Sequence, residues 1–269
     1  MSSTPPVHAL SKAQIFDLAV RARAAGTYYD TKQPALEEDF HGSLDRFCDI
    51  ALAFRECRRV LDAASGNGLL PALLKLLGHE VYAVDIIDHR ATELYRRHQI
   101  PFQICNVEAD PLPFADASLD GVSCSQALEH FTHSHLPPVL EMSRVLRAGG
   151  VLEIDVPNAV SLRNRSRMLR GKHITWDYRE HYLYARPIVY NGREFYPIRH
   201  NREFTKAELE LLLREAGYVE YDVRFLRDRR VRGGARKLQS AASALRDALP
   251  ALRKSLIAVA VKRDRPAAG

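Results

Sequence analysis

The stretch Val60-Leu61-Asp62-Ala63-Ala64-Ser65-Gly66-Asn67-Gly68 decides the fold. A short apolar run carries an acidic residue near its end and passes into a turn of small residues. Such a turn lets the backbone approach a ligand closely at the carboxyl end of a first parallel strand. Behind it, Leu69–Leu77 reads as a helix that Gly78 closes, and Glu80–Val84 as a second strand ending at Asp85. A carboxylate at that position can accept hydrogen bonds from both hydroxyls of a ribose.

Working outward, strand and helix alternate. Ala91–His98 is predicted helical, Phe102–Cys105 a third strand, residues 106–118 a proline-containing loop and Gly121–Ser125 a fourth strand. Pro137–Leu146 reads as a helix stopped by Gly149-Gly150, and Val151–Val156 as a fifth strand. Thr205 caps a helix running to Gly217, and Val219–Phe225 and Leu256–Val261 are the last two strands. Strict alternation with apolar strands argues for a mainly parallel α/β sheet covered by helices on both faces.

Upstream, Ser11 to about Ala25 and Leu44–Phe54 read as helices of an N-terminal cap over residues 1–55, with residues 1–9 disordered. Residues 56–269 form the main domain. The segment from Asn158 to Asn201 breaks the rhythm; rich in Arg, Tyr and His and without a sustained period, it reads as a long insertion. Arg227–Leu249 reads as a basic, helix-forming stretch.

Composition narrows the class. At 46% hydrophobic and 27% charged residues the chain has the profile of a soluble globular protein. No window approaches the ~20 apolar residues that span a bilayer, and the first residues show no export or import signal. Cys48, Cys57, Cys105 and Cys124 lack metal-ligand spacing, so neither a metal site nor a disulfide framework is expected, and a reducing cytoplasm is the expected compartment. The net charge of +6 raises the prospect of an anionic partner, whether a phosphorylated carrier, a membrane face or nucleic acid. The basic runs Arg163–Lys172 and Arg224–Lys237 are not interleaved with aromatic platforms, which disfavours single-stranded nucleic acid. Docking at the inner face of the membrane is the alternative they leave open, beside an ordinary solvated surface.

A nicotinamide dehydrogenase would carry GxGxxG, but Pro71 holds the place of the third glycine in Gly66-Asn67-Gly68-Leu69-Leu70-Pro71. The chain instead resembles the class I S-adenosylmethionine-dependent methyltransferases. Asp62 to Gly68 matches their acidic residue and glycine-rich loop, with Ala64 where glycine is usual and Ser65 where cysteine is frequent. The resemblance continues, in order, through Asp85, Asn106-Val107-Glu108, Pro111–Phe114, Leu119-Asp120-Gly121-Val122, Ala127-Leu128-Glu129-His130, Arg144–Gly150 and Val156-Pro157-Asn158.

That resemblance implies a Rossmann-like sheet of seven strands, mainly parallel with the last antiparallel, and S-adenosyl-L-methionine as cofactor. By it, Asp62, Ala64, Ser65, Gly66 and Gly68 line the methionine portion, and Asp85 and Ile86 the ribose and adenine edge. Asn106 and Val107 face the adenine, and Ser125 and Gln126 lie near the reacting sulfonium.

A hydroxyl acceptor must lose a proton, so a nearby base would help. His130, directly after the fourth strand, is the best-placed candidate, and His200 and His181 of the insertion region are the others. Each has a plainer reading, as a residue that shapes the pocket or bridges a loop. Tyr28 and Tyr29 either close the pocket or pack in the core. The place after the fourth strand reads Ser123-Cys124-Ser125-Gln126-Ala127, without the Asn/Asp-Pro-Pro-aromatic motif of adenine and glutamine methyltransferases. The expected acceptor is therefore a sugar, glycan or other small hydroxylated molecule. An RNA or protein methyltransferase using the basic surface, and a cofactor-binding protein without turnover, are the rivals.

Overall fold

The computed structural model describes residues 10–87, 92–175, 178–227, 246 and 248–263. The expected disordered start (1–9), nearly all of the basic Arg227–Leu249 stretch and most of the Arg224–Lys237 run lie outside the described residues.

Seven strands form one sheet: β1 (Arg59–Ala63), β2 (Glu80–Asp85), β3 (Phe102–Ile104), β4 (Leu119–Ser125), β5 (Leu146–Pro157), β8 (Glu220–Phe225) and β9 (Ser255–Val261). Their order is β3-β2-β1-β4-β5-β9-β8. The first five run parallel, and β9 is antiparallel to both of its neighbours. The order reverses between β1 and β4, and the crevice outside the carboxyl ends at such a switch point is where open α/β sheets bind ligands.

The helices are α1 (Lys12–Ala24), α2 (Pro34–Ala53), α3 (Leu69–Leu76), α4 (Thr92–His98), α5 (Leu136–Val145), α6 (Leu162–Leu169) and α7 (Lys206–Glu215). One apolar cluster joins α1, α2, α3 and α4 to one face of the sheet through Val60, Val81 and Ala83. A second packs α5 and α7 on the other face through Leu61, Val122, Cys124 and Ile154. The N-terminal helices therefore share a core with the sheet. Two helices open on a capping box, Ser11 with Gln14 in α1 and Thr205 with Glu208 in α7, which satisfies backbone donors the first turn leaves unpaired.

Three expectations need correction. Helix α2 begins ten residues earlier than Leu44, at Pro34, a residue suited to a first helical turn. Its buried Leu36, Phe40, Leu44, Phe47 and Ile50 repeat at three and four residues, a period that runs straight through the acidic Glu37-Glu38-Asp39. Strand β5 begins at Leu146 rather than Val151, with the register shifting between Leu119 and Gly121 on β4. The insertion is also partly ordered: it holds α6, a π-helical turn at Arg179–Leu183, and a hairpin of β6 (Ile188–Tyr190) and β7 (Arg193–Phe195). Asn191 and Gly192 both sit at positive φ, 49° and 75°, and make the two-residue turn that twisted hairpins favour.

Candidate active site

The loop from Ala64 to Gly68 is held by its neighbours on three sides. Asp85 Oδ2 accepts the backbone N–H of Gly66 at 2.8 Å, while Oδ1 accepts that of Ile87 at 3.0 Å. Ser65 donates its N–H to the Val84 carbonyl, and its hydroxyl lies 2.5 Å from the Tyr95 hydroxyl of α4. Asn67 Nδ2 reaches Asp39 of α2 at 2.7 Å. Gly66 (φ 54°) and Gly68 (φ 78°) take the left-handed conformation that the turn into α3 requires. A Cβ added to Gly66 would meet open space, so no protein atom packs against this part of the loop. Ala64 shares the conformation at φ 63° and bears the strain of its Cβ.

Beneath the loop, Asp62, Ser123 and Glu153 are direct partners across β1, β4 and β5, so their side chains share one face. Asp155 lies two residues further along that face. All four are at most 2% exposed. Ser123 donates to Glu153 Oε2 at 2.7 Å, and Arg46 of α2 comes within 3.5 Å of Asp155. Asp62 Oδ1, Glu153 Oε1 and Asp155 Oδ1 have no hydrogen-bond partner. Burial, then mutual repulsion with Asp85 or Asp155, raises the Asp62 and Glu153 carboxyls well above their ordinary range. A positive charge brought close to this face would favour ionisation of the Asp62 and Glu153 carboxyls.

Beyond β3, Asn106 is buried with its Oδ1 accepting the Glu108 N–H at 3.1 Å and its Nδ2 unpartnered. That leaves a donor aimed at no protein group where the adenine edge was expected. Val107 puts its side chain in the second core cluster. Ile86 is half-buried just after β2. At the end of β4, Ser125 pairs with Asp155, and Gln126, at φ 50°, turns its Nε2 onto Asp155 Oδ2 at 2.7 Å.

His130 and His200 meet, with ring centroids 4.8 Å apart in an edge-to-face contact. His130 Nδ1 lies 2.8 Å from the Arg199 carbonyl. A carbonyl only accepts, so the proton sits on Nδ1 and Nε2 keeps its lone pair. Burial first, and His200 second, lower the His130 pKa to about 4, so the ring is neutral at pH 7. Glu129, 1% exposed, stands beside the pair with both carboxylate oxygens unpartnered. Burial lifts its carboxyl well above the usual range. One ligand atom each from Glu129, His130 and His200 fall within 4.8 Å of one another.

His181 is not among the grouped ligand atoms but sits on the π-helical turn, near enough to add to the lowering of the His130 pKa. It lines a cavity of about 170 Å³ with Tyr184, Arg186, Tyr196 and Arg199. Arg199 ties the two places together: its carbonyl holds His130 and its Nε donates to the His181 carbonyl at 2.8 Å. Tyr28 and Tyr29 are fully buried in the first core cluster, and Tyr28 Oη donates to the Leu69 carbonyl at 2.8 Å. Tyr28 supports the start of α3, while the Tyr29 hydroxyl donates to Glu37 of α2 at 3.0 Å.

The insertion is bonded to the loops that follow β3 and β4. Tyr190 of the hairpin donates its hydroxyl to Asp110 in the loop after β3, and Glu108 there pairs with His133 at 2.6 Å. Tyr182 donates to the His200 carbonyl, and Asn201 Nδ2 to that of His130 at 2.8 Å.

The part played by α2, through Arg46 and Asp39, was not foreseen from the sequence. Neither was the grouping of Glu129 with His200, 71 residues apart. For α2 a signal existed in the apolar period that begins at Leu36.

The chain is similar to known methyltransferases. Residues 61–154 match the family model described as a methyltransferase domain. The chain is 29% identical over 165 residues to a Mycobacterium tuberculosis protein (strain H37Rv) named "Probable S-adenosylmethionine-dependent methyltransferase", covering 61% of this chain and 49% of the relative. The chain therefore spans about half the length of the curated relatives it first matches. Among solved structures it is similar to an S-adenosylmethionine-dependent methyltransferase from Archaeoglobus fulgidus, with TM-score 0.54, 17% identity and coverage of 81% of this chain and 91% of the other. It is also similar to a Burkholderia thailandensis 1,6-didemethyltoxoflavin-N1-methyltransferase solved with S-adenosylhomocysteine, with TM-score 0.51, 21% identity and coverage of 95% and 92%. At these identities the structural likeness establishes the fold.

Proposed function

We propose that this chain, a class I S-adenosylmethionine-dependent methyltransferase, transfers the methyl group to a hydroxyl of a sugar, glycan or other small molecule. When bound, the cofactor supplies a methyl group already activated on a sulfonium. The residues present fit it. Asp62, Gly66 and Gly68 border the methionine side, and Asp85 and Ile86 the ribose side. Asn106 offers its unpartnered Nδ2 on the adenine side. A positive charge on the bound donor would favour ionisation of the buried Asp62 and Glu153 carboxyls. Ala64, Ser65 and Val107 contribute backbone and shape, the Ser65 hydroxyl being taken up by Tyr95.

The observation that carries the choice of a hydroxyl is the Glu129–His130–His200 cluster directly after β4. A hydroxyl needs somewhere for its proton to go, and two imidazoles beside a carboxyl supply acceptors. His130 presents the Nε2 lone pair, and Arg199 fixes its ring. Ser125 and Gln126 lie on the side of the cleft toward the acceptor. The hairpin anchored by Tyr190 keeps water from the cleft, and orientation then supplies much of the rate. His181 belongs to the acceptor side, in the cavity with Arg186 and Arg199.

A second feature bears on where the protein works. Helix α6 presents Arg163, Arg165 and Arg167, with Met168 and Leu169 exposed at 60% and 89% at its end. Cations beside exposed apolar side chains suit docking on an anionic membrane face, at which a lipid-linked glycan would be presented. No helix of the described residues is long and apolar enough to cross a membrane.

The test is a labelled-methyl transfer screen over glycans, hydroxylated small molecules, lipids, RNA and protein. Label recovered as an O-methyl ether supports the reading. Label appearing only on RNA or protein overturns it.

A further inference from the structure

We infer that Glu129, His130 and His200 form a binding site for a divalent first-row transition cation, with Zn2+ the best match to the donor set. The inference rests on the reading above only for its chemical use; the site stands on its own geometry.

Glu129 is the starting point. A carboxyl that is 1% exposed with neither oxygen hydrogen-bonded to another residue is rare in folded proteins, and such a group asks for a missing partner. Among the described residues, the side-chain ligand atoms grouped with it are those of two imidazoles, all within 4.8 Å of one another. Bond lengths of about 2.0–2.2 Å place tetrahedral zinc ligands roughly 3.4 Å apart, so small side-chain rotations close the set.

The surroundings are those of a ligating histidine. Metal-bound imidazoles generally donate their second nitrogen to a carbonyl or carboxylate, which fixes both tautomer and ring plane. His130 does this through Nδ1 to Arg199 O, leaving Nε2 for a cation. His200 has Glu203 Oε1 at 3.9 Å from its Nδ1, and Glu203 is itself held by Asn164. The Glu129 carbonyl accepts the Asn201 N–H at 2.7 Å and the Asn201 amide reaches the His130 carbonyl at 2.8 Å, which ties the two halves of the site together.

Two imidazoles and one carboxylate select a borderline cation over Mg2+ or Ca2+, which prefer oxygen-rich sets. Three protein ligands leave at least one position open, as in catalytic rather than structural zinc sites. With the cation bound the two imidazoles are ligands and not proton acceptors; an acceptor hydroxyl bound there would ionise more readily, its proton passing to water instead of to His130. No ligand spacing marks this site along the chain, because Glu129 and His200 come together only in the fold.

The experiment is calorimetric titration of chelator-treated full-length chain with ZnCl2, repeated on Glu129→Gln and on His200→Asn, with MgCl2 as a parallel arm. Expected are one site per chain and a loss of at least tenfold in Zn2+ affinity in each variant. Mg2+ should bind far more weakly. S-adenosylhomocysteine affinity, measured on the same samples, reports that each variant is folded. A chain that binds no Zn2+, or binds it equally well in both variants, overturns the site. Failure of S-adenosylhomocysteine binding in the parent would instead strike the methyltransferase reading and leave the zinc result standing.

Discussion

Asp85 holds the loop that it was expected to face: its Oδ2 accepts the Gly66 N–H at 2.8 Å, across the gap between β2 and the turn into α3. Its other oxygen accepts the Ile87 N–H at 3.0 Å. An ionised carboxylate has about four lone-pair sites, and these two bonds occupy two of them. Asp85 therefore shapes the cleft as well as lining it. Asp85→Asn replaces one acceptor oxygen by a donor and should cost about 1–3 kcal/mol of stability, read by urea unfolding. A cost near zero would mean that the loop is held without it.

Ala64 sits at φ 63°, where the resemblance places a glycine. A left-handed alanine is strained by about 1–2 kcal/mol, while glycine returns part of that gain as unfolded-chain entropy. Ala64→Gly should stabilise the chain by about 0.5–1 kcal/mol and raise Tm by about 2 °C in calorimetry. A destabilised variant would contradict the backbone geometry of the loop.

Glu153 gives a pH-dependent prediction. Its carboxyl is raised well above the ordinary value of 4.5, with burial the main cause and Asp155 next. The folded chain thus prefers Glu153 protonated, while the unfolded chain ionises it above 4.5. The stabilisation is fully present below that value and is lost as pH rises toward the folded-state pKa. Glu153→Gln mimics the protonated form and can still accept from Ser123. Its advantage over the parent should be absent at pH 4 and grow toward pH 8 in urea unfolding. A constant difference across that range would contradict the assignment.

Arg46 is the cation that α2 brings to the cleft floor, 3.5 Å from the fully buried side chain of Asp155. Removing one member of a buried pair leaves the other charge uncompensated. Arg46→Met should cost about 3 kcal/mol, and Asp155→Asn in the same chain should recover part of it. If the double variant is no better than Arg46→Met alone, the two residues are not coupled.

What was legible in the sequence follows from the range of the signal. The strands β1, β2, β4, β8 and β9 and the capped helix after Thr205 declared themselves through local period and punctuation, within a residue or two of the observed ends. The hairpin at Asn191-Gly192 had a local signal too, but its strands are three residues each and too short to show alternation. The small-residue loop was readable because Asp62–Gly68 is continuous. The buried carboxylate face was not, since it needs the registers of β1, β4 and β5 and the reach of Arg46. The histidines split the same way: His130 and His200 meet through folding of the insertion, whereas His181 is carried into a neighbouring cavity.

The claim beneath all of this is that the cleft between the Asp62–Gly68 loop, Asp85 and Asn106 holds S-adenosylmethionine. Calorimetric titration with S-adenosylhomocysteine tests it most directly. The account predicts one site per chain with micromolar or tighter affinity, weakened at least tenfold by Asp85→Ala in a variant that remains folded. No measurable binding, or binding indifferent to Asp85→Ala, would contradict it.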